Sequence, residues 1–329
     1  MSGVVLAVDG GNSKTDLALV GLDGALLGLA RGPLSSPHHI GLDGCLAVLE
    51  ELLGNAMAEA GLAEQPVAAV AQVMLAGADL PAEETALRAA VEARGWAART
   101  SVGNDTFAIL RAGTDRGWGV AVVCGAGINC VGVAPDGRTA RFPALGPITG
   151  DWGGGLDVGM AALAAAARGE DGRGPRTSLE QSVPAAFGLG SPRELGEAIH
   201  TGAIPMRRLL ELAPLVLAEA ARDEVAAGIV DRLADEVVAF ARAALTRLDL
   251  LGEPVEVLVG GGVMRSADGR LAEAIDAGVR ELGPRIRARV VREPPIVGAA
   301  LLGLDELGAG ADAHARAREQ LTNGSLVHG

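Results

Sequence analysis

Short, fully apolar runs alternate along this chain with glycine-rich turns and with longer stretches of helical periodicity. Val4–Val8 is an apolar run suited to a buried strand, Asp16–Val20 follows after a tight turn, and Gly21-Leu-Asp-Gly24 leads into Ala25–Ala30. Strand, turn, strand, Asp-Gly turn and strand predict an antiparallel meander. Leu42–Gly61 has helical periodicity and stops at glycine, and Val67–Ala76 reads as another buried strand. Pro81-Ala-Glu-Glu opens a helix, with proline in its first turn and acids at its positive end.

The grammar then restarts. Gly119–Cys124 is an apolar strand, Gly125–Asn129 a glycine turn, Cys130–Ala134 a strand and Asp136-Gly137 a second hairpin turn. The repeat predicts an internal duplication, two α/β halves that each open with a hairpin. The second half is richer in helix, with patterns at Leu156–Arg168, Arg193–His200 and Asp223–Leu250. Val255–Val259 is a third buried strand running into Gly260-Gly-Gly262, followed by helices at Leu271–Leu282 and Ile296–Leu307. From Ala309 the composition turns small and polar, and the final segment, Thr322–Gly329, is expected to be frayed.

Composition narrows the picture. The 329 residues suffice for two domains, and with 2% aromatics and no tyrosine the core must be built from small aliphatic side chains. A net charge of −13 without a basic cluster argues against nucleic-acid and anionic-membrane partners. Cys45, Cys124 and Cys130 match no zinc or disulfide spacing and suit a reducing compartment. The N-terminal run lacks a basic flank and a cleavage site, and no apolar run is long enough to span a bilayer. The expectation is a cytoplasmic protein. Of 28 Lys and Arg residues, 27 are arginine; the single lysine, Lys14, stands in the first glycine turn.

That turn is the first candidate for chemistry. Each glycine turn follows a buried strand, where α/β sheets bind ligands, and glycine lets backbone N–H groups approach an anion. The spacings match neither a P-loop nor a dinucleotide-binding fingerprint. A hairpin turn still cradles phosphate. Asp9 ends a buried strand and suits a hydrated Mg²⁺, while Gly10, Gly11, Asn12, Ser13 and Thr15 add backbone, amide and hydroxyl groups. Lys14 supplies a compact charge for phosphate oxygens. Gly125, Ala126 and Gly127 form the second such turn, and Gly260, Gly261 and Gly262 the third.

The sequence resembles the actin-like ATPase and sugar-kinase superfamily, and within it N-acetylglucosamine kinases and the BadF/BadG/BcrA/BcrD ATPase family. VDGGNSKTDLAL is similar to the first phosphate motif, VVCGAGINCVGV to the second and VLVGGGVMRS to the adenosine motif. Glu293–Ala300 resembles the segment that returns the chain to the first domain. The similarity covers about residues 4–307 with the motifs in order. It implies two actin-like (ribonuclease H-like) α/β domains with an interdomain cleft for ATP, Mg²⁺ and a sugar. The expected division is 1–105, plus a returning helix at about 297–320, and 106–296. It further implies a homodimer.

Asn-Asp after a strand reads, on its own, as a turn or a helix cap. The resemblance makes Asp105 the general base on a sugar hydroxyl, with Asn104 shaping its surroundings. In the loop Gly146–Gly159, Asp151 can accept two adjacent sugar hydroxyls beside three bare glycines, whereas Asp157 also fits a first-turn acid of a following helix. Gly150 and Asn129 join the implied sugar site. The chain departs from its relatives at two points: Trp152 replaces a glutamate of the usual Gly-Asp-Glu-Gly-Ser loop, and Ser36 stands for a sugar-binding Asn, beside His38 in what reads as a loop. These changes, with the carboxylates, favour glucosamine and leave N-acetylglucosamine as the alternative. A redox-coupled ATPase activator holding an iron–sulfur cluster and a non-catalytic sugar sensor are the rival classes.

Overall fold

The computed structural model describes residues 3–266 and 269–327. From the N-terminus the chain forms β1 (Val4–Gly10), β2 (Lys14–Gly21), β3 (Leu26–Pro33), α1 (Pro37–Ala60), β4 (Ala68–Leu75), α2 (Pro81–Glu92), β5 (Ala97–Asn104) and α3 (Asp105–Gly113). There follow β6 (Gly119–Cys124), β7 (Ile128–Val133), β8 (Thr139–Arg141), α4 (Gly154–Glu170), α5 (Leu179–Ala185), α6 (Pro192–His200), α7 (Ala213–Glu219) and α8 (Glu224–Arg247). The chain closes with β9 (Glu256–Gly260), α9 (Gly262–Arg265), α10 (Arg270–Leu282), β10 (Arg287–Val290), α11 (Pro295–Glu306) and α12 (Ala311–Val327). Two compact units result, one of residues 1–118 with 291–329 and one of residues 119–290.

The expected duplication is visible in the strand orders. The first unit has a five-stranded sheet in the order β3-β2-β1-β4-β5, the second one in the order β8-β7-β6-β9-β10. In each, the first three strands pair antiparallel and the last two add in parallel. The buried runs form the central strands because apolar side chains on both faces need cover on both sides. In the first sheet, Leu6, Val8, Leu17 and Val73 pack under α1 and α2, while Val5, Ala7, Ala18 and Met74 pack under α3, α11 and α12.

The unit division follows packing. Residue 105 opens α3, whose Ala108 lies in the same core as Ile296, Val297 and Leu301 of α11; the helix therefore belongs to the first unit, beyond the expected boundary at 105/106. The two helices approach closely at Gly298: a Cβ there would lie 2.6 Å from the Ala108 carbonyl carbon and 2.9 Å from the Ala112 nitrogen.

Other expectations need correcting. The segment from Thr322, expected to fray, is helical as far as Val327, its last two residues lying outside the described ones; it continues α12, which buries Ala313, Ala317 and Leu321 at four-residue spacing. Its Gln320 accepts a hydrogen bond from the Leu26 N–H, while Glu59 of α1 accepts one from Leu29, so both helices cover the edge strand β3. Helix α1 begins at Pro37 rather than Leu42, with a kink at Gly41 (φ 71°), which places His38 and His39 in a first helical turn instead of a loop. In the second unit, the apolar stripe of α8, including Val230, Leu233, Val237, Ala241 and Leu245, is buried as core. Among the described residues, no helix is long and apolar enough to cross a membrane.

Candidate active site

The first turn lies between two strands whose polar side chains face one another. Direct cross-strand partners share a face, so the pairs Asp9–Asp16 and Asp16–Arg31 put an acid, an acid and a guanidinium in one row at the end of β1. Arg31 grips Asp16 with two bonds, Nε to Oδ1 at 2.6 Å and Nη2 to Oδ2 at 3.1 Å, and Lys14 Nζ donates to Oδ2 at 2.8 Å. Burial alone would raise the Asp16 carboxyl; the Arg31 and Lys14 contacts overcome it and hold the group below the usual carboxylate range. Asp9 is buried beside this row. Lys14 is therefore engaged with a buried carboxylate, its side chain still 41% exposed. Gly11 closes the turn by donating to the Lys14 carbonyl at 2.9 Å. Thr15 faces the other way and donates to Ser35 Oγ at 2.8 Å. Asn12 and Ser13 form the rim between Gly11 and Lys14.

A second group gathers where β4 and β5 end side by side, with Leu75 opposite Asn104. Asn104 caps α3: its Oδ1 accepts from the Thr106 N–H at 3.0 Å and from the Thr106 hydroxyl at 2.6 Å. Its Nδ2 donates to Asp79 Oδ1 at 2.8 Å. The cap reading and the functional reading of Asn-Asp thus coexist. Asp105, the first residue of α3, is half-buried; burial, joined by the negative charge of Asp79, pushes its carboxyl up to about 7. Glu83 accepts from the N–H groups of Asp79 (3.1 Å) and Leu80 (2.9 Å), and its other oxygen lies 2.9 Å from His38 Nε2. Ser36 is fully buried and its hydroxyl has no hydrogen-bond partner among the described residues; it sits against the backbone of Gly77, as the His38 ring does.

In the second unit three glycine stretches converge on the end of β6. The Gly155 N–H donates to the Gly125 carbonyl at 2.8 Å and the Leu156 N–H to the Ala126 carbonyl at 3.0 Å, locking the start of α4 to the turn. Gly154 has φ +78°, and a Cβ there would run into the Gly127 backbone, so only glycine fits. The Gly261 backbone abuts Cys124, and Gly260 lies opposite Val123. At Gly125 and Gly127 the space where side chains would begin is open. A phosphate can approach such a turn. In the first unit, taken by itself, the carboxylate of Asp9 at the end of β1 is the kind of oxygen donor that a hard divalent cation takes.

Beside this turn stand the remaining candidates. Asp151 accepts from the Thr149 hydroxyl. Asp157 accepts from the Gly153 N–H at 2.9 Å, a helix-start contact, and burial raises its carboxyl. Arg232 of α8 stacks on Trp152, its guanidinium 4.0 Å from the ring centroid. Burial also raises Glu236, one turn further along α8, within reach of the charges of Arg232, Asp151 and Asp157. Asn129 lies in β7, its Oδ1 accepting from Cys130 N–H at 2.7 Å, and Gly150 precedes Asp151 at φ +81°. All three cysteines are buried; burial pushes Cys45 up to about 11, Cys124 up to about 12 and Cys130 upward as well.

Sequence reasoning did not find Asp79, Glu83, Arg31, Asp16, Arg232 or Glu236. Asp16 carried a usable signal, a charge inside an otherwise apolar strand. Asp79 and Arg232 carried none, because their partners come from distant parts of the chain.

Duplicated sheets of this order, each with a glycine turn between its first two strands, define the fold of the actin-like ATPases. The chain belongs to the BadF/BadG/BcrA/BcrD ATPase family, which it matches over residues 6–303. It is similar to the N-acetylmuramic acid/N-acetylglucosamine kinase of Clostridium acetobutylicum, at 28% identity over 80% of this chain and 86% of that protein. The N-acetyl-D-glucosamine kinase of Dictyostelium discoideum is 26% identical, over 92% and 98% of the two chains. A Chromobacterium violaceum crystal structure with a provisional N-acetylglucosamine kinase name shares the fold, with a TM-score of 0.73, 24% identity and 92% and 99% coverage.

Proposed function

We propose that this protein is an ATP-dependent amino-sugar kinase that transfers the γ-phosphoryl group of ATP to the 6-hydroxyl of a hexosamine, with Asp105 as general base. The observation that carries the reading is the Asp105 carboxyl itself: at the start of α3, beside the Asn104–Asp79 pair, burial and the Asp79 charge push it up to about 7, which suits accepting a proton near neutral pH. The hydroxyl oxygen attacks the γ-phosphorus, its proton passes to Asp105, and ADP leaves. The relatives' names and the ATPase family support the same reaction class.

Asp9 would hold the divalent cation, Mg²⁺ in this reading, through water. When bound, the cation neutralises charge on the phosphates. The Gly10–Thr15 and Gly125–Gly127 turns would present N–H groups to the phosphates, Gly260–Gly262 would border the adenosine, and Lys14 would divide its charge between Asp16 and a phosphate oxygen. Ser36, His38, Asn104, Asn129, Gly150, Asp151 and Trp152 would form the sugar site.

Glucosamine is the preferred substrate in this reading. Arg232 offsets the charges of Asp157 and Glu236 in part, while Asp151 adds a further negative charge acting on both, and this surplus of acid suits a protonated 2-amino group. The relatives' names favour the second reading, N-acetylglucosamine. ADP release measured with Mg-ATP and glucosamine, N-acetylglucosamine, glucose or no sugar separates the two. Release with glucosamine alone is expected; preference for the acetylated sugar supports the second reading, and equal release with and without sugar overturns the kinase.

A further inference from the structure

Asp79 stands outside every motif that pointed to phosphoryl transfer, yet it touches the base's support directly. It follows β4 in the turn before α2, and β4 and β5 run parallel with Leu75 beside Asn104, so the turn is delivered to the start of α3. Asn104 is almost completely buried, and its two amide atoms are both committed: Oδ1 to Thr106 at the N-terminus of α3, Nδ2 to Asp79 Oδ1. The carboxylate therefore decides which way the Asn104 amide points, and that amide caps the helix whose first residue is Asp105.

The Asp79 backbone is itself fixed. Its N–H and that of Leu80 both donate to Glu83, which burial would raise but which the His38 ring and those N–H groups hold below the usual carboxylate range. Other charges on elements packed around α3 are engaged elsewhere. Asp305 of α11 pairs with Arg111 at 2.6 Å, and Glu306 with Gln72 at 2.8 Å and Arg99 at 3.4 Å. Asp115 pairs with Arg318 at 2.8 Å, His314 lies 3.2 Å from Asp305, and Asp9 stands near Arg31. The negative charge of Asp79, by contrast, acts on the Asp105 carboxyl.

We propose that Asp79 is a positioning residue for the transfer step: it orients the Asn104 amide that caps α3 and sets a second negative charge beside Asp105. The proposal rests on the kinase reading given above for its catalytic meaning, but the coupling of the two carboxyls stands on its own. A negative neighbour disfavours ionisation, so it makes Asp105 the better proton acceptor.

The test is a titration of aspartate carboxyl ¹³C shifts in the ligand-free protein, with the Asp105 signal assigned by its loss in Asp105→Asn. Asp79→Asn keeps an oxygen to accept from Asn104 and removes only the charge. The Asp105 midpoint is expected to fall by about one pH unit, the size expected of one carboxylate acting on another at short range. The acid limb of the kcat/KM profile should move down with it, whereas Asp79→Ala, which also removes the acceptor, should lower kcat in addition. Asp79→Ser gives the same charge test if Asp79→Asn fails to fold. An Asp105 midpoint unchanged in the charge-removing variant overturns the proposal. If the wild-type protein phosphorylates no sugar, the kinase reading fails, while the titration still decides the coupling.

Discussion

Gly298→Ala tests whether the placement of the base depends on the contact between α11 and α3. A Cβ at residue 298 would sit 2.6 Å from the Ala108 carbonyl carbon and 2.9 Å from the Ala112 nitrogen, against backbone that has no rotamer to change. The Ala108 carbonyl oxygen is nearer still, so restoring ordinary contact at 3.4–4 Å requires the helices to part by roughly 1.5–2 Å. Overpacking of this kind costs ~1–3 kcal/mol. Alanine's better helix propensity returns up to ~1 kcal/mol. The net loss is ~1–2 kcal/mol, a fall in Tm of roughly 2–4 °C per kcal/mol for a chain of this size. Activity should suffer more than stability, because Asp105 is the first residue of the displaced helix, and an error near 1 Å in the placement of a reacting group costs about 100-fold. Gly228→Ala on α8 is the control: that glycine is exposed and nothing lies within 4 Å of the added methyl. There the propensity gain of up to ~1 kcal/mol is unopposed. Urea denaturation and ADP release on both variants give the answer. A Gly298→Ala protein as stable as wild type, with full turnover, would refute the argument that this contact holds α3 in place.

Three further variants have expected outcomes. Asp105→Asn abolishes turnover but leaves ATP binding intact by calorimetry. Because the Asp105 carboxyl is raised in the folded protein, the fold holds a proton that the unfolded chain releases, and wild-type stability falls as pH rises from about 4 to about 7; Asp105→Asn should therefore gain Tm over wild type at pH 8 and little at pH 4. Lys14→Ala raises KM for ATP but costs less than ~1 kcal/mol of stability by thermal melting, since Arg31 keeps its two bonds to Asp16 and the lysine is partly exposed. Arg232→Ala frees Trp152 from its stacked cation and takes from Asp157 and Glu236 the positive charge acting on both; KM for the sugar should change while KM for ATP does not, and a change in ATP alone would remove this cluster from the sugar site.

Much of the architecture is written in local pattern. Val4–Val8, Gly119–Cys124 and Val255–Val259 are apolar enough to demand cover on both faces, and the Asp-Gly turns fix hairpins, so both sheets could be anticipated. Helix α12 left no such pattern, because its buried stripe is Ala313, Ala317 and Leu321, two of them too small to register as a hydrophobic face; the returning helix expected to about residue 320 came from the resemblance. Strand β10, Arg-Ala-Arg-Val, shows no apolar run because it is an edge strand with half-exposed residues. In the candidate site, the glycine turns leave local traces in the sequence, whereas Asp105 reads on its own as a turn or cap residue and was singled out by the resemblance alone. Asp79 reads as an ordinary turn residue, and only the parallel pairing of β4 with β5 gives it Asn104 as a partner.

The first unit is closed by helices from the far end of the chain, and this sets an order of events on the ribosome. Strands β1–β5 emerge early, and α1 and α2 can cover one face of their sheet at once. The other face, with Val5, Ala7, Ala18 and Met74, meets only α3 at first and has to wait for α11 and α12, which arrive only after the whole of residues 119–290 has been made. For that interval the nascent first unit carries an open apolar surface of the kind that chaperones hold and that aggregates when left alone. The intervening unit has no such debt, since all of its strands and its covering helices lie within one continuous stretch and can fold while synthesis proceeds.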